Sequence, residues 1–153
     1  MLFRFIWVDK TRNEPLRLLV EDYLARLQRF TRCEIQEIRA SGLADGRASS
    51  AEESRRVIAA LRAEATVILL DVEGREWSSP ELGAQVEQWQ NGGGKEIAFI
   101  IGGAYGVSDE LKARAARLWS LSRLTLTHEM ARVVMLEQLY RAYTIVRGLP
   151  YQK

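Results

Sequence analysis

The sequence predicts an α/β fold: a mostly parallel sheet of five to six strands with helices on both faces. Three observations carry this. Strand-like and helix-like segments alternate along the chain. Segments such as "TVILLDV" and "EIAFIIG" are near-continuous apolar runs, as expected of strands covered on both sides. The 153 residues hold no internal repeat, low-complexity tract or linker, so 1–153 reads as one domain. A content of 47% hydrophobic and 27% charged residues is ordinary for a globular protein.

The elements follow in order. "LFRFIWV" (2–8) reads as a strand. "EPLRLLVEDYLARLQRF" (14–30) places Leu16, Leu19, Val20, Tyr23, Leu24 and Leu27 at helical spacing, and Pro15 suits its first turn. "CEIQEI" (33–38) alternates as a strand does, and "ASGLADGRASS" (40–50) has the small polar residues of a loop. A helix is predicted from the serines that follow, where acids sit behind them. "TVILLDV" (66–72) is a strand, "SSPELGAQVEQWQ" a helix closed by "NGGGK", and "EIAFIIG" the next strand. Ser108 opens a short helix over "SDELKARAARLW". "SLSRLTLT" (120–127) has period two and reads as a fifth strand. "HEMARVVMLEQLYRAYTIVRG" (128–148) is a long helix, with Thr127 as N-cap and Gly148 and Pro150 as stops.

That last helix is apolar nearly all round. Met135, Leu136, Leu139, Tyr140, Ala142, Tyr143 and Val146 form one face, while Met130, Val133, Val134 and Ile145 lie largely outside it. The surplus predicts a two-fold homodimer interface.

Charge is uneven. Residues 102–153 carry eight Lys or Arg against four Asp or Glu, hence +4, and the remainder carries fourteen against sixteen, hence −2. A basic C-terminal third suits an anionic partner. The single cysteine, Cys33, rules out an intramolecular disulfide and fits a reduced, cytoplasmic protein. "MLFRFIWV" is short and broken by Arg4, so it reads as a first strand and not a signal peptide, and no segment reaches membrane-spanning length.

Several chemistries are disfavoured. In "NGGGK", Lys95 precedes Glu96 and the stretch joins helix to strand, the reverse of a phosphate-binding P-loop. The first strand is followed by "DKTRNEP", with none of the glycines of a dinucleotide site. One histidine and one cysteine give no metal-ligand spacing, so no metal is expected. No G-x-S-x-G elbow is present. Arg132 falls on the apolar face of the last helix, where a guanidinium needs a carbonyl or anionic partner. Glu137 and Arg141 are spaced as a surface ion pair. The unexplained feature is "IIGGAYGVS": glycines closing a buried strand let backbone press against a ligand or against another part of the chain.

Over nearly the whole chain, and most strongly in "LLDVEGREWSSPELG", "FIIGGAYGVS" and "WSLSRLTLTHEMARVVMLEQLYRAYTIVRGLPYQK", the sequence resembles the ribosomal RNA large subunit methyltransferase H family of the SPOUT class. The resemblance implies a C-terminal trefoil knot and S-adenosylmethionine as cofactor. It also implies a homodimer that methylates N3 of a pseudouridine in 23S ribosomal RNA of assembled ribosomes. Three loops would hold the cofactor through Leu70, Gly102, Gly103 and the run Leu121, Ser122, Arg123, Leu124, Thr125 and Leu126. Arg123, Arg132, Arg141 and Lys153 would meet RNA. Tyr151, His128 and Glu137 are the candidates for handling the N3 proton.

Three departures stand out. "VDKTR" lacks the family's usual glycine, the glycine loop reads Gly-Gly-Ala-Tyr-Gly, and the tail ends "PYQK" where the family mostly has Pro-Tyr-His and a basic residue. Gln152 cannot take up a proton as histidine does. It keeps open a second reading, a non-catalytic ribosome- or RNA-binding protein with the same fold. Another α/β nucleotide-binding enzyme is a third.

Overall fold

The computed structural model describes residues 1–151. Ten elements alternate without exception: β1 (Leu2–Val8), α1 (Glu14–Leu27), β2 (Arg32–Ile38), α2 (Gly46–Ala60), β3 (Thr66–Glu76), α3 (Ser79–Asn91), β4 (Glu96–Ile101), α4 (Asp109–Arg114), β5 (Arg117–Ser120) and α5 (His128–Val146). All five strands share one sheet, in the order β2-β1-β4-β3-β5, and every pairing is parallel.

The apolar runs explain the layering. Every residue of β1 and β4 is buried. Alternate side chains serve two cores. Phe3, Phe5, Trp7, Ile97 and Phe99 face Val20 and Leu27 of α1, Leu82 and Val86 of α3, and Leu136, Leu139 and Tyr143 of α5. Ile6, Val8, Ala98 and Ile100 face Val57 of α2 and Leu111 of α4. Aromatic pairs dense around Phe99 tighten the first core: its ring centroid lies 5.1 Å from Phe3, 5.5 Å from Phe5 and 6.2 Å from Trp119. Each such pair contributes about 0.5–1.5 kcal/mol beyond its buried area.

Connections that step toward the β2 edge cross the α1/α3 face, and those that step toward the β5 edge cross the α2/α4 face. Reversing direction and face together keeps one crossover hand throughout, as parallel connections require.

Four boundaries differ from expectation. α1 stops at Leu27, so residues 28–30 lie beyond it. α2 begins at Gly46, inside the expected loop, because the Asp45 side chain caps it by accepting from the Ala48 amide at 2.7 Å. β3 runs on to Glu76 past a register shift between Leu70 and Arg75. A side chain at Gly74 would lie 2.6 Å from the Leu118 carbonyl, so glycine lets the resumed strand close on β5. The fifth strand is not 120–127 but Arg117–Ser120, and α4 correspondingly ends at Arg114. Residues 121–127 form no ladder; their alternating leucines border a cavity instead.

Candidate cofactor site

The glycine loop leaves β4 at Gly102. Gly103 and Gly106 form a one-pair bridge, with the Gly106 amide donating to the Gly103 carbonyl at 3.1 Å, and Gly106 adopts φ 77°. A Cβ on Gly102 would sit 2.6 Å from Val107 Cγ1, and one on Gly103 would sit 2.8 Å from Glu53 Oε1. The close approach these glycines permit is therefore, first, an approach of the chain to itself.

α2 holds this loop from behind. Ser50 Oγ donates to the Gly106 carbonyl at 3.2 Å, and Ser54 Oγ accepts from the Ser108 amide at 2.8 Å. Glu53, only 6% exposed, accepts from the Ser41 amide at 3.1 Å and lays its other oxygen against Gly103. These three residues recur at i, i+3 and i+4 and so share one buried helix face. Their signal in the sequence was a polar stripe on a helix whose opposite face is charged as well, and it was missed.

The register break of β3 and the loops after β4 and β5 converge on one cavity of about 770 Å³. It lies beyond the C-terminal ends of the parallel strands, the usual ligand position in open α/β sheets. Leu70, Gly102, Gly103, Leu121, Ser122, Leu124, Thr125 and Leu126 all border it. So do Ile101, Val107, Thr127 and His128. Arg123 belongs to the same loop but is exposed and borders no part of the cavity. Two local turns shape this loop: Ser120 Oγ donates to the Ser122 carbonyl at 2.8 Å, and Ser122 Oγ accepts from the Leu124 amide at 3.0 Å. Thr127 caps α5 by accepting from the Met130 amide at 3.3 Å, which sets His128 at the cavity edge.

Arg132 is not available to RNA. It is fully buried, with Nη2 donating to the Val8 carbonyl at 2.7 Å, Nη1 to Thr11 Oγ1 at 2.8 Å, and its carbon Cζ 4.9 Å from the Trp7 ring centre. Burial pushes its pKa down, opposed by Glu129, Glu37 and Asp9. Its neighbour Glu129 accepts from the Arg12 and Asn13 amides at 2.8 and 3.0 Å. The first turn of α5 thus clamps the β1–α1 loop, where Asp9 takes φ 68° in the stretch lacking the usual glycine.

Tyr151 lies elsewhere. Its hydroxyl donates to Glu137 Oε1 at 3.0 Å, and Arg141 stands 4.9 Å over its ring and 2.5 Å from the same carboxylate oxygen. Tyr140 packs edge-on at 4.7 Å. Burial, then the Tyr23 and Glu137 contacts, hold the Tyr151 phenol above its ordinary pKa, so it stays protonated. Glu137 is nine residues beyond His128, about 14 Å along the helix axis. One chain therefore does not bring Tyr151 and Glu137 to the cavity that His128 borders. Gln152 and Lys153 lie outside the described residues.

The profile described as "Predicted SPOUT methyltransferase" matches residues 1–152. The chain belongs to the SPOUT methyltransferase family. Relatives within it are named ribosomal RNA large subunit methyltransferase H. Those of Geotalea uraniireducens and Geobacter metallireducens are 40% and 42% identical over 151 residues, covering 99% of this chain in each case. That of Desulfotalea psychrophila is 42% identical over 153 residues and covers all of both chains. A probable methylase family protein from Haemophilus influenzae superposes with a TM-score of 0.56 at 12% identity, over 99% of this chain and 70% of its own, a likeness of fold.

A SPOUT methyltransferase needs a methyl donor, and the cavity suits one. Its volume lies within the roughly 300–1,000 Å³ of small-molecule sites. Its walls are mainly apolar, and one pair of opposite charges, Asp71 and Lys112, is present among the described residues. Among the described residues no group of three or more His, Cys, Asp or Glu is placed to hold a metal ion, and no helix is long and apolar enough to cross a membrane.

Proposed function

We propose that the protein transfers a methyl group from S-adenosylmethionine to N3 of a pseudouridine in 23S ribosomal RNA of the large subunit, acting in the cytoplasm as a homodimer with a trefoil-knotted C-terminal half. The observation that carries this is the meeting of the β3 register break with the loops after β4 and β5 around one mainly apolar cavity in a chain of this family. The relatives' names supply the ribosomal substrate.

S-adenosylmethionine supplies a methyl group on a sulfonium, with its own leaving group. The chain's part is positioning and the removal of one proton. Leu70, Leu121 and Leu126 wall the adenosine, and the backbone of 102–103 and 121–126 meets the adenine edge. Arg123 faces solvent beside the cavity mouth and is placed for a phosphate. His128 is the titratable group of α5 that borders the cavity, and it would be placed to take up the N3 proton.

The homodimer accounts for the distant tail. α5 is about 28 Å long, with its N-terminus at the cavity and its C-terminus leading to Tyr151. Antiparallel contact of two α5 helices about a two-fold axis carries each tail toward the other subunit's cavity. Monomer packing absorbs part of the apolar surplus first predicted for this helix: Val133 is buried, and Ile145 packs over Gly83 of α3. Met130 and Val134 remain, joined by Val72, Tyr105 and Leu124 around the mouth, of which Leu124 is 76% exposed.

Incubation with isotopically labelled S-adenosylmethionine and ribosomes lacking the modification tests this. Mass mapping of the 23S RNA should find methylation at N3 of a single pseudouridine. A protein that binds the cofactor but leaves that nucleotide unmethylated is the non-catalytic alternative.

A further inference from the structure

Among the described residues the cavity walls carry two fully charged side chains, and they carry them as a pair. Lys112 Nζ stands 3.4 Å from Asp71 Oδ2. Their side chains are 35% and 11% exposed, in a mainly apolar cavity also lined by Leu70, Val107 and Leu121. Both are anchored. Asp71 Oδ1 accepts from the Glu73 amide at 2.8 Å, where β3 breaks register. Lys112 rises from α4, whose cap Ser108 donates its amide to Ser54 of α2.

Stability is a weak reason for such a pair. Desolvating two charges costs about as much as their attraction returns, so a half-buried ion pair contributes little net. A ligand with opposite charges on neighbouring atoms changes the balance, because each side chain then gains a second partner in the same low-dielectric space.

Resting on the S-adenosylmethionine reading above, we infer that Asp71 and Lys112 form the subsite for the amino-acid end of the cofactor. Asp71 accepts from the α-ammonium, and Lys112 donates to the α-carboxylate. The four charges alternate in sign, so the existing pair need not separate. The apolar remainder of the cavity takes the uncharged nucleoside. The pair thereby fixes which end of the ligand lies toward α4, and with it the direction in which the methyl group points.

Truncated ligands test this by calorimetry, without any activity measurement. S-adenosylhomocysteine has both charges, decarboxylated S-adenosylmethionine lacks the carboxylate, and 5′-methylthioadenosine lacks the whole amino-acid end. Lys112→Met should weaken S-adenosylhomocysteine by ~10-fold or more and leave the other two within about twofold. Asp71→Asn should weaken S-adenosylhomocysteine and the decarboxylated ligand by ~10-fold or more and spare 5′-methylthioadenosine. Thermal unfolding checks that the variants are folded. If Asp71→Asn is not, Lys112→Met and the wild-type preference for S-adenosylhomocysteine over 5′-methylthioadenosine still decide. Equal weakening of all three ligands would show a pair that merely ties α4 to β3, and unchanged affinities would show one with no part in binding; either overturns the inference while the cofactor reading stands. A wild-type protein that binds none of the three overturns both.

Discussion

Arg132 and Arg123 are nine residues apart, and the sequence offered both as contacts to RNA. The structure separates them by burial. Arg132 is committed to the Val8 carbonyl, Thr11 and the face of Trp7, and its Nε has no hydrogen-bond partner among the described residues. Arg123 is exposed. The apolar helix face had already marked Arg132 as needing a carbonyl, but nothing in sequence spacing could name Val8, 124 positions away. The two arginines should respond oppositely to truncation. Arg132→Met leaves polar partners unpaired and should cost about 1–3 kcal/mol in denaturant unfolding, with the salt dependence of RNA binding unchanged. Arg123→Ala should change stability by less than about 0.5 kcal/mol. It should lower the slope of log affinity against log salt by about 0.7, the loss of one phosphate contact on a single strand. A reduced salt slope in the Arg132 variant would return that residue to the RNA surface.

At the scale of elements, local signals served wherever the chain obeys local rules. Alternation gave five strands and five helices, and the Ser108 and Thr127 caps lie where the sequence placed them. Two segments escaped. "SLSRLTLT" has the period of a strand, but its leucines border a cavity, Leu121 and Leu126 half-buried and Leu124 exposed, so the alternation marks a cavity wall and not a paired strand. "ADGRASS" is small and polar like a loop, yet the helix already starts at Gly46, and in the part expected to be helical Ser50, Glu53 and Ser54 spend their polarity on the Gly106 carbonyl, the Ser41 amide and the Ser108 amide. α2 is thus a brace for the glycine loop. Glu53→Ala should raise hydrogen exchange at residues 103–108 before it does so in β1 or β4, because local opening of the loop is less costly than opening the core. Global stability should fall by about 1–3 kcal/mol, the cost of a buried amide left unpaired. A uniform rise in exchange through the sheet would mean that Glu53 supports the whole fold and not the loop.

For the whole molecule, the decisive geometry is the distance between cavity and tail. The elements of one chain build a cavity at the N-terminus of α5 and a Tyr151–Glu137–Arg141 cluster farther along the same helix. A helix is stiff, so the two cannot meet within one subunit without unfolding part of α5. An active site using both must then be shared between copies, and a mixing experiment reads this directly. Leu126→Trp fills the cavity of one copy, and Tyr151→Ala removes the tail's phenol from the other. Each variant alone should methylate ribosomes at least ~100-fold more slowly than the wild type, since positioning is lost in both. When equal amounts are mixed and allowed to exchange subunits, half of the dimers are hybrids. Each hybrid pairs an intact cavity with an intact tail at one of its two sites. Activity should recover to about a quarter of the wild-type value. Subunits that each complete their own site would show no recovery, because every hybrid site would carry one defect. That result would return Tyr151 to a structural role beside Glu137 and leave His128 as the one of the three proton-handling candidates that borders the cavity.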